Sequence, residues 1–330
     1  MRQLGLLSVV VPCYNEQEVI RDSHLRLSRI LDELTAARRC EEYELIYIDD
    51  GSTDETLPIL IDLYEHSRNV RVISLRRNSG LQAAITAGLA HAFGDAVITI
   101  DADLQDPPEK IGELIAHYET GYGLVLGIRQ DRSSDAITKK FFAESYYRIM
   151  KGFGVDIVHN HGDFRLMDRA LVDDFNSLPE RCRFVRAMIL RLESRYAKVF
   201  YSREPRRAGV TKFTPKVMVG FSLDGLISFS TAPLRLASVL GALFCVLSIV
   251  GIGWAIYIKL TQNIIKGWAS TLLPLLAIGG LQLFILGILG EYLGRLFVEV
   301  KQRPIYVVRE EWSRCKNRDR HGVQKASQPS

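Results

Sequence analysis

Cysteine is scarce and ill-placed for crosslinking. The five present, Cys13, Cys40, Cys182, Cys245 and Cys315, are odd in number, scattered, and include no C-x-x-C pair. A disulfide framework and a finger-type structural zinc site are therefore excluded. The chain has no P-loop G-x-x-x-x-G-K-[ST] and no G-x-G-x-x-G after its first apolar run, so neither an ATPase nor a dinucleotide enzyme is indicated. Residues Met1 to Leu7 hold one arginine and lead directly into a strand-like stretch. A signal peptide's long apolar region and small-residue cleavage site are missing, which predicts a cytosolic N-terminal part. An excess of one charge is missing too. Lysine plus arginine number 42 against 38 acidic residues, and residues 298–330 alone, with eight basic and four acidic side chains, account for the whole excess of +4. A pervasive nucleic-acid-binding surface has no support from that balance.

What is present suits a buried core. The 330 residues are 47% hydrophobic and 24% charged, enough for one large domain or two modest ones with a non-globular remainder. That remainder lies near the C-terminus. No residue is charged from Leu236 to Ile258 or from Gly267 to Gly290, and each stretch matches the roughly 20 apolar residues that cross a bilayer. The expectation is two transmembrane helices, over 234–260 and 267–297; the alternative is a pair of buried core helices. Gly251, Gly253, Gly279, Gly280, Gly287 and Gly290 supply small residues for close helix contact. Arg203, Arg206, Arg207, Lys212, Lys216 and Arg235 precede the pair, Arg295, Lys301 and Arg303 follow it, and the link between holds only Lys259 and Lys266. The positive-inside rule then puts both termini in the cytoplasm, as in a multi-pass protein of the cell inner membrane. Residues 211–233 mix lysines with Phe213, Val217, Met218, Phe221, Leu226 and Phe229, read as an interfacial segment on the headgroups or an amphipathic helix against the soluble domain. Residues 298–330 form a basic cytosolic tail.

The first 210 residues read as one α/β domain. Short apolar runs at Leu6–Val11, Leu45–Ile48, Val70–Leu75, Ala96–Ile100 and Leu124–Leu126 alternate with helix-like stretches, the pattern of a mostly parallel sheet. Ligands in such sheets bind beyond the carboxyl ends of the strands, and the polar residues concentrate there. Pro12-Cys13-Tyr14-Asn15-Glu16 follows the first run and Asp49-Asp50-Gly51-Ser52-Thr53-Asp54 the second. Helix capping by Ser52 or Asp54 is local; it leaves Asp49 and Asp50 unexplained. Asp101-Ala102-Asp103-Leu104-Gln105-Asp106-Pro107-Pro108 follows the fourth, with two carboxylates at i and i+2. Mg2+ takes one or two carboxylates and completes its shell with water and substrate phosphates, so the pair points to a phosphate-bearing substrate.

These three blocks together resemble the signature of family 2 glycosyltransferases of the GT-A fold. The subgroup they resemble is the polyprenyl-phosphate glycosyltransferases, dolichol-phosphate mannose synthase and the bactoprenol glucosyltransferases among them, and the likeness runs to about Arg309. The resemblance implies a GT-A (Rossmann-like) cytosolic domain in which Pro12, Tyr14, Glu16 and Asp50 contact the nucleotide of a sugar donor. It further implies that Asp101, Ala102 and Asp103 face that donor, with Asp101, Asp103 and Gln105 holding Mg2+ or Mn2+, and that Arg129 meets phosphate charge. Arg206-Arg207-Ala208-Gly209-Val210-Thr211-Lys212 resembles the family's R-x-x-G-x-[ST]-K loop, with Lys212 and either Arg206 or Arg207 reaching the phosphates; headgroup attraction is the other reading of these cations. Asp163 sits where the bactoprenol type places a candidate base, or alternatively pairs with Arg165 or Arg169 to shape the acceptor pocket. His159 and His161 are read as ordinary polar residues.

The implied reaction is metal-dependent, inverting transfer of a hexose, glucose from UDP-glucose as the leading choice, to undecaprenyl or another polyprenyl phosphate, with the membrane as a partner and a homo-oligomer, a tetramer by resemblance. Mannose, N-acetylhexosamine or an aminopentose are the alternative sugars. A processive polysaccharide synthase would carry Q-x-x-R-W and more spans, and this chain has neither. A non-catalytic membrane scaffold would bind nucleotide sugar without turnover.

Overall fold

A computed structural model of the protein describes residues 2–130, 158, 160–204, 232–262 and 268–314. Arg206, Arg207, Lys212, His159 and nearly all of the expected interfacial segment lie outside the described residues.

The N-terminal part alternates strand and helix: β1 (Leu6–Cys13), α1 (Ile20–Ala36), β2 (Glu42–Asp49), α2 (Thr56–His66), β3 (Val70–Leu75), α3 (Leu81–His91) and β4 (Ala96–Thr99). A short 3-10 helix (Pro108–Lys110), α4 (Ile111–Glu119) and β5 (Leu124–Arg129) follow. Then come β6 (His161–Asp168), α5 (Arg169–Ser177), α6 (Val185–Leu192) and β7 (Tyr196–Tyr201). The described strands form one sheet in the order β7-β5-β6-β4-β1-β2-β3-β8, where β8 spans Val308–Trp312. Strands β1 to β4 are parallel, as is the β5–β7 pair, whereas β6 runs against both β4 and β5. This is a GT-A-like α/β fold with a mostly parallel sheet.

Why the first four strands lack polar alternation follows from their cover. Helices α1, α2 and α4 pack on one face around Leu7, Val9, Leu45, Tyr47 and Val72, and α3, α5 and α6 on the other around Val10, Ile46, Ile48 and Val97. Strands buried on both faces read as continuous apolar runs. Strand β1 lies between β2 and β4, so the chain reverses its direction of build across the sheet there, the crevice in which α/β sheets place ligands. The carboxyl ends of β1, β2, β4, β5 and β7 and the amino end of β6 all reach this edge.

Helices α7 (Ala232–Gln262) and α8 (Trp268–Lys301) have 31 and 34 residues and contact each other. Val239, Ile249, Leu283 and Leu293 are among the large apolar side chains they leave exposed. Among the described residues no helix is long and apolar enough to cross a membrane. After α8 the chain comes back to the domain. The Glu299 carboxylate accepts the backbone N–H groups of Arg181 and Cys182, and β8 pairs antiparallel with β3 at the sheet edge.

Strand β8 is held by charge as well as by its ladder. Arg71, 5% exposed, donates at 2.8 Å to Glu44 and at 2.8 Å to Glu311, with its guanidinium over the Phe93 ring. Hydrogen bonding with His91, joined by Arg71 and opposed by burial, pulls the Glu311 carboxyl down to about 2 from 4.5. A depressed carboxylate contributes stability above its unfolded pKa and loses it as pH falls through the folded value. The contribution is complete above about 4.5 and gone below about 2. Glu311→Gln is expected to lower Tm at pH 7 and to flatten the acid limb of stability between those values. Thermal unfolding of parent and variant across that range checks it; two parallel curves would contradict the assignment.

Candidate functional site

The acidic block after β4 owes its shape to alternation. Asp101, Asp103 and Gln105 are half-buried and outward, while Ala102, Leu104 and Asp106 are buried beneath them. Along this turn half-buried and buried side chains alternate, so D-x-D-x-Q presents three oxygen-bearing groups to one side. The Gln105 N–H closes the turn on Asp103 Oδ1 at 3.2 Å. Leu104 at its centre has φ +57°. A non-glycine residue in the left-handed region costs roughly 1–3 kcal/mol and persists where its surroundings hold it. Ala102 turns its methyl group into the core, so its side chain is not offered to a ligand.

Asp101 stands among like charges. Burial, and then the carboxylates of Asp106, Asp163 and Asp103, push its pKa up to about 8, with Arg129 partly opposing. Crowded carboxylates of this kind, all hard oxygen donors, are the set that a divalent cation of the Mg2+ class neutralises. Among the described residues no three His, Cys, Asp or Glu side chains form a cage by themselves. The fit is therefore to an ion that completes its shell with water and phosphate oxygens. Gln105 Oε1 accepts a hydrogen bond from Arg203, whose guanidinium would share that oxygen with an ion.

Behind this turn lies a buried polar layer. Tyr201, at the end of β7, donates to Asp106 Oδ1 at 2.7 Å, and Arg129, at the end of β5, donates to Tyr201 Oη at 3.2 Å and to Asp106 at 3.2 Å. Arg129, expected at phosphate, is thus anchored on the acidic turn with a quarter of its side chain exposed. Gly162 makes room for it, since a Cβ there would stand 2.9 Å from Arg129 Nη2. Asp106, Tyr201 and Arg186 escape the sequence reading. Asp106 was visible as a third carboxylate five residues past Asp101; Arg186, on a separate helix, left no signal.

Asp163 is 1% exposed and lies between two guanidiniums. Arg165 donates to Oδ1, and Arg186 donates to Oδ1 at 3.1 Å and to Oδ2 at 2.5 Å. Burial alone would raise its pKa; Arg186 and Arg165 outweigh that and hold it well below the carboxylate range. Such a group is a poor proton acceptor. Arg169, the other partner considered, turns instead to the carbonyls of Gly94 and Ala92 and to Asp173. His161 is 4% exposed, and neither ring nitrogen has a partner among the described residues. Burial, with Arg165 and Arg186 close by, keeps it neutral.

On the other side of the switch point the expected nucleotide contacts follow β1 and β2. Pro12 is buried in β1, while Tyr14 and Glu16 are half-buried beyond its end. The Asn15 N–H donates to Ser52 Oγ at 3.0 Å and the Glu16 N–H to Thr56 Oγ1 at 2.8 Å, which locks the two strand-end loops together. The Asp50 oxygens accept the N–H groups of Ser79 at 2.7 Å and Gly80 at 2.8 Å, at the start of α3. Asp50 therefore shapes this wall from beneath. Gly51 between them is required, with φ +68° and a hypothetical Cβ 2.6 Å from the Arg77 carbonyl carbon.

Removing one member of a buried ion network leaves its partners uncompensated, at a cost of about 3–5 kcal/mol. Asp163→Asn is expected to lose about that much stability in denaturant unfolding. A variant as stable as the parent would contradict the structural role.

Comparison with known proteins bears on the same residues. The model for "Glycosyl transferase family 2" matches residues 8–175, which takes in every acidic strand end described above. An uncharacterized glycosyltransferase of Synechocystis sp. is 40% identical over 308 residues, 93% of this chain and 95% of that one. The SfII prophage-derived bactoprenol glucosyl transferase of Shigella flexneri is 39% identical over 306 residues, 92% of this chain and 97% of that one. Among solved structures, glucosyl-3-phosphoglycerate synthase from Mycobacterium tuberculosis, in complex with Mn2+, UDP and glucosyl-3-phosphoglycerate, superposes with a TM-score of 0.47 at 24% identity. That match spans 68% of this chain and 78% of that one, a likeness too distant to carry an argument here. A family match over half the chain, with relatives at this identity along nearly all of it, makes the protein a glycosyltransferase of family 2.

Proposed function

We propose that this glycosyltransferase moves a hexose, glucose from UDP-glucose first among the choices, onto a polyprenyl phosphate at the cytoplasmic face of a membrane, with inversion at the anomeric carbon. The observation that carries the reading is the outward pair Asp101 and Asp103, crowded by further carboxylates and bordered by the guanidiniums of Arg129 and Arg186. A nucleoside diphosphate with its cation complements that distribution. The relative named for bactoprenol glucosyl transfer supports the acceptor class.

In this reading Asp101 and Asp103 hold Mg2+ or Mn2+, with Gln105 beside them. The bound ion supplies Lewis-acid neutralisation of the departing diphosphate. The chain's own residues do the rest. Arg129, fixed by Asp106 and Tyr201, adds a preorganised positive charge where negative charge develops, and Lys212 with Arg206 or Arg207 adds more by resemblance. The bond from the anomeric carbon to the diphosphate oxygen breaks with its electron pair, and an acceptor phosphate oxygen forms the new bond from the opposite face. With a second phosphate pKa near about 6, the acceptor is largely ionised at neutral pH and needs no strong base. Asp163, held as an anion between Arg165 and Arg186, then positions the acceptor side of the site.

A lipid acceptor requires the site at headgroup height. The uncharged stretches of the sequence, the lengths of α7 and α8 and their exposed apolar side chains support two spans over 234–260 and 267–297. The docking of β8 onto the sheet supports the same side for both ends of the hairpin. A homo-oligomer packed through the glycine-bearing spans completes the proposal.

Purified protein in detergent, incubated with Mg2+ or Mn2+, undecaprenyl phosphate and a panel of UDP- and GDP-sugars, is expected to form a glycolipid from UDP-glucose, read by mass. No product from any donor would overturn the proposal. Asp103→Ala is expected to keep its fold and to lose several kcal/mol of charge stabilisation, more than about 10²-fold in rate. Turnover near the parent rate would remove Asp103 from the ion.

A further inference from the structure

We infer that Arg26, on α1 and outside the substrate-facing residues, is a positioning residue that fixes the D-x-D-x-Q turn for its metal ion; the inference rests on the metal-dependent reading above. Arg26 is 15% exposed and spends its guanidinium on two carboxylates at once. Its Nε and Nη2 donate to Glu109 at 2.8 and 2.7 Å, and its Nη1 and Nη2 donate to Glu204 at 3.0 and 2.5 Å. Paired hydrogen bonds to two glutamates at once use the planar fork of the guanidinium, a geometry that lysine cannot reproduce.

What the two glutamates are attached to gives the arrangement its meaning. Glu109 sits in the 3-10 helix that follows Asp106, beyond Pro107 and Pro108, whose rings leave little freedom between turn and helix. Glu204 follows β7, and its backbone N–H donates to the Gln105 carbonyl at 3.0 Å, while its neighbour Arg203 donates to Gln105 Oε1. Gln105 in turn donates its N–H to Asp103 Oδ1 at 3.2 Å. A closed ring results, from Arg26 through Glu204 to Gln105, along the turn to Glu109, and back to Arg26. The ring closes on the Gln105–Glu109 arm of the turn, directly after Leu104, a buried leucine held in the left-handed region. With Arg26 gone, the C-terminal arm of the turn loses its anchor, and Gln105, whose N–H holds Asp103, loses the geometry in which the two face one ion. Groups that hydrogen-bond a metal's ligands typically affect affinity by about 10–100-fold, and Arg26 acts on Gln105 through Glu204, which does so.

The test measures Mn2+ binding to the full chain in detergent with saturating UDP, by the electron paramagnetic resonance signal of free Mn2+, alongside the thermal midpoint and the kinetics of transfer. Arg26→Gln is expected to weaken Mn2+ binding about tenfold or more, with kcat at saturating Mn2+ changed far less and the thermal midpoint close to the parent's. Glu204→Gln, at a more exposed position, is expected to shift Mn2+ binding in the same direction, and it decides the matter if Arg26→Gln fails to fold. Unchanged Mn2+ affinity in a folded variant overturns the role of Arg26 while leaving the functional reading intact. A parent protein that binds no Mn2+ in the presence of UDP overturns that reading itself, and the inference with it.

Discussion

Four carboxylates, those of Asp101, Asp103, Asp106 and Asp163, meet where β4, β5, β6 and β7 reach one edge of the sheet, and their repulsion has to be met by positive charge. The protein meets part of it from within. Asp163 lies between Arg165 and Arg186, and Asp106 takes Arg129 together with the Tyr201 hydroxyl. Asp101, on the outward side of the turn, keeps a deficit of positive charge, and burial, with the neighbouring carboxylates, raises its pKa. A buried layer of matched ion pairs thus lies beneath the outer pair, Asp101 and Asp103, which the proposed metal ion would complete. Antiparallel β6 is what makes it possible, because its amino end delivers Asp163 to the edge that the parallel strands reach with their carboxyl ends.

The opposite side of the sheet does different work. Ser8, Glu44, Arg71 and Glu311 form a partly buried hydrogen-bonded network near the amino ends of β1, β2 and β3, and it ties the last strand to the first three. Strand β8 returns after the two long helices, so their ends are coupled mechanically to the domain that carries the acidic edge. Glu299 on the Arg181 and Cys182 amides adds a second tie close to α6, the helix that supplies Arg186. The acidic edge and the helical hairpin are thereby parts of one covalently and electrostatically connected body. In the proposed transfer to a lipid acceptor, that connection would set the height of the site.

How much of this was legible in the sequence depended on whether the signal was local. The five apolar runs became β1 to β5 because strands buried on both faces must be apolar along their length, and the polar residues after them fell at the carboxyl edge of the sheet. The period-two spacing of Asp101, Asp103 and Gln105 already implied a shared side. Strand β6 was invisible, because His161-Gly162-Asp163-Phe164-Arg165 buries charged side chains that find their counterions only in the folded chain. Strand β8, Val308-Arg309-Glu310-Glu311-Trp312, is an edge strand whose charges face solvent and Arg71, a partner more than two hundred residues away. Arg186 meets Asp163 across 23 residues, and Arg26 meets Glu109 and Glu204 across 83 and 178. Asp50 shows the converse, a residue expected at the nucleotide whose oxygens hold the amides of Ser79 and Gly80 before α3.

The most direct test of the account is a structure of the protein with Mn2+ and UDP, in which the ion is located by its anomalous scattering. The account predicts one Mn2+ with Asp101 and Asp103 in its coordination sphere and the diphosphate oxygens completing it, while Asp163 remains between Arg165 and Arg186. A nucleotide bound at this edge without an ion, or an ion coordinated away from Asp101 and Asp103, would contradict it.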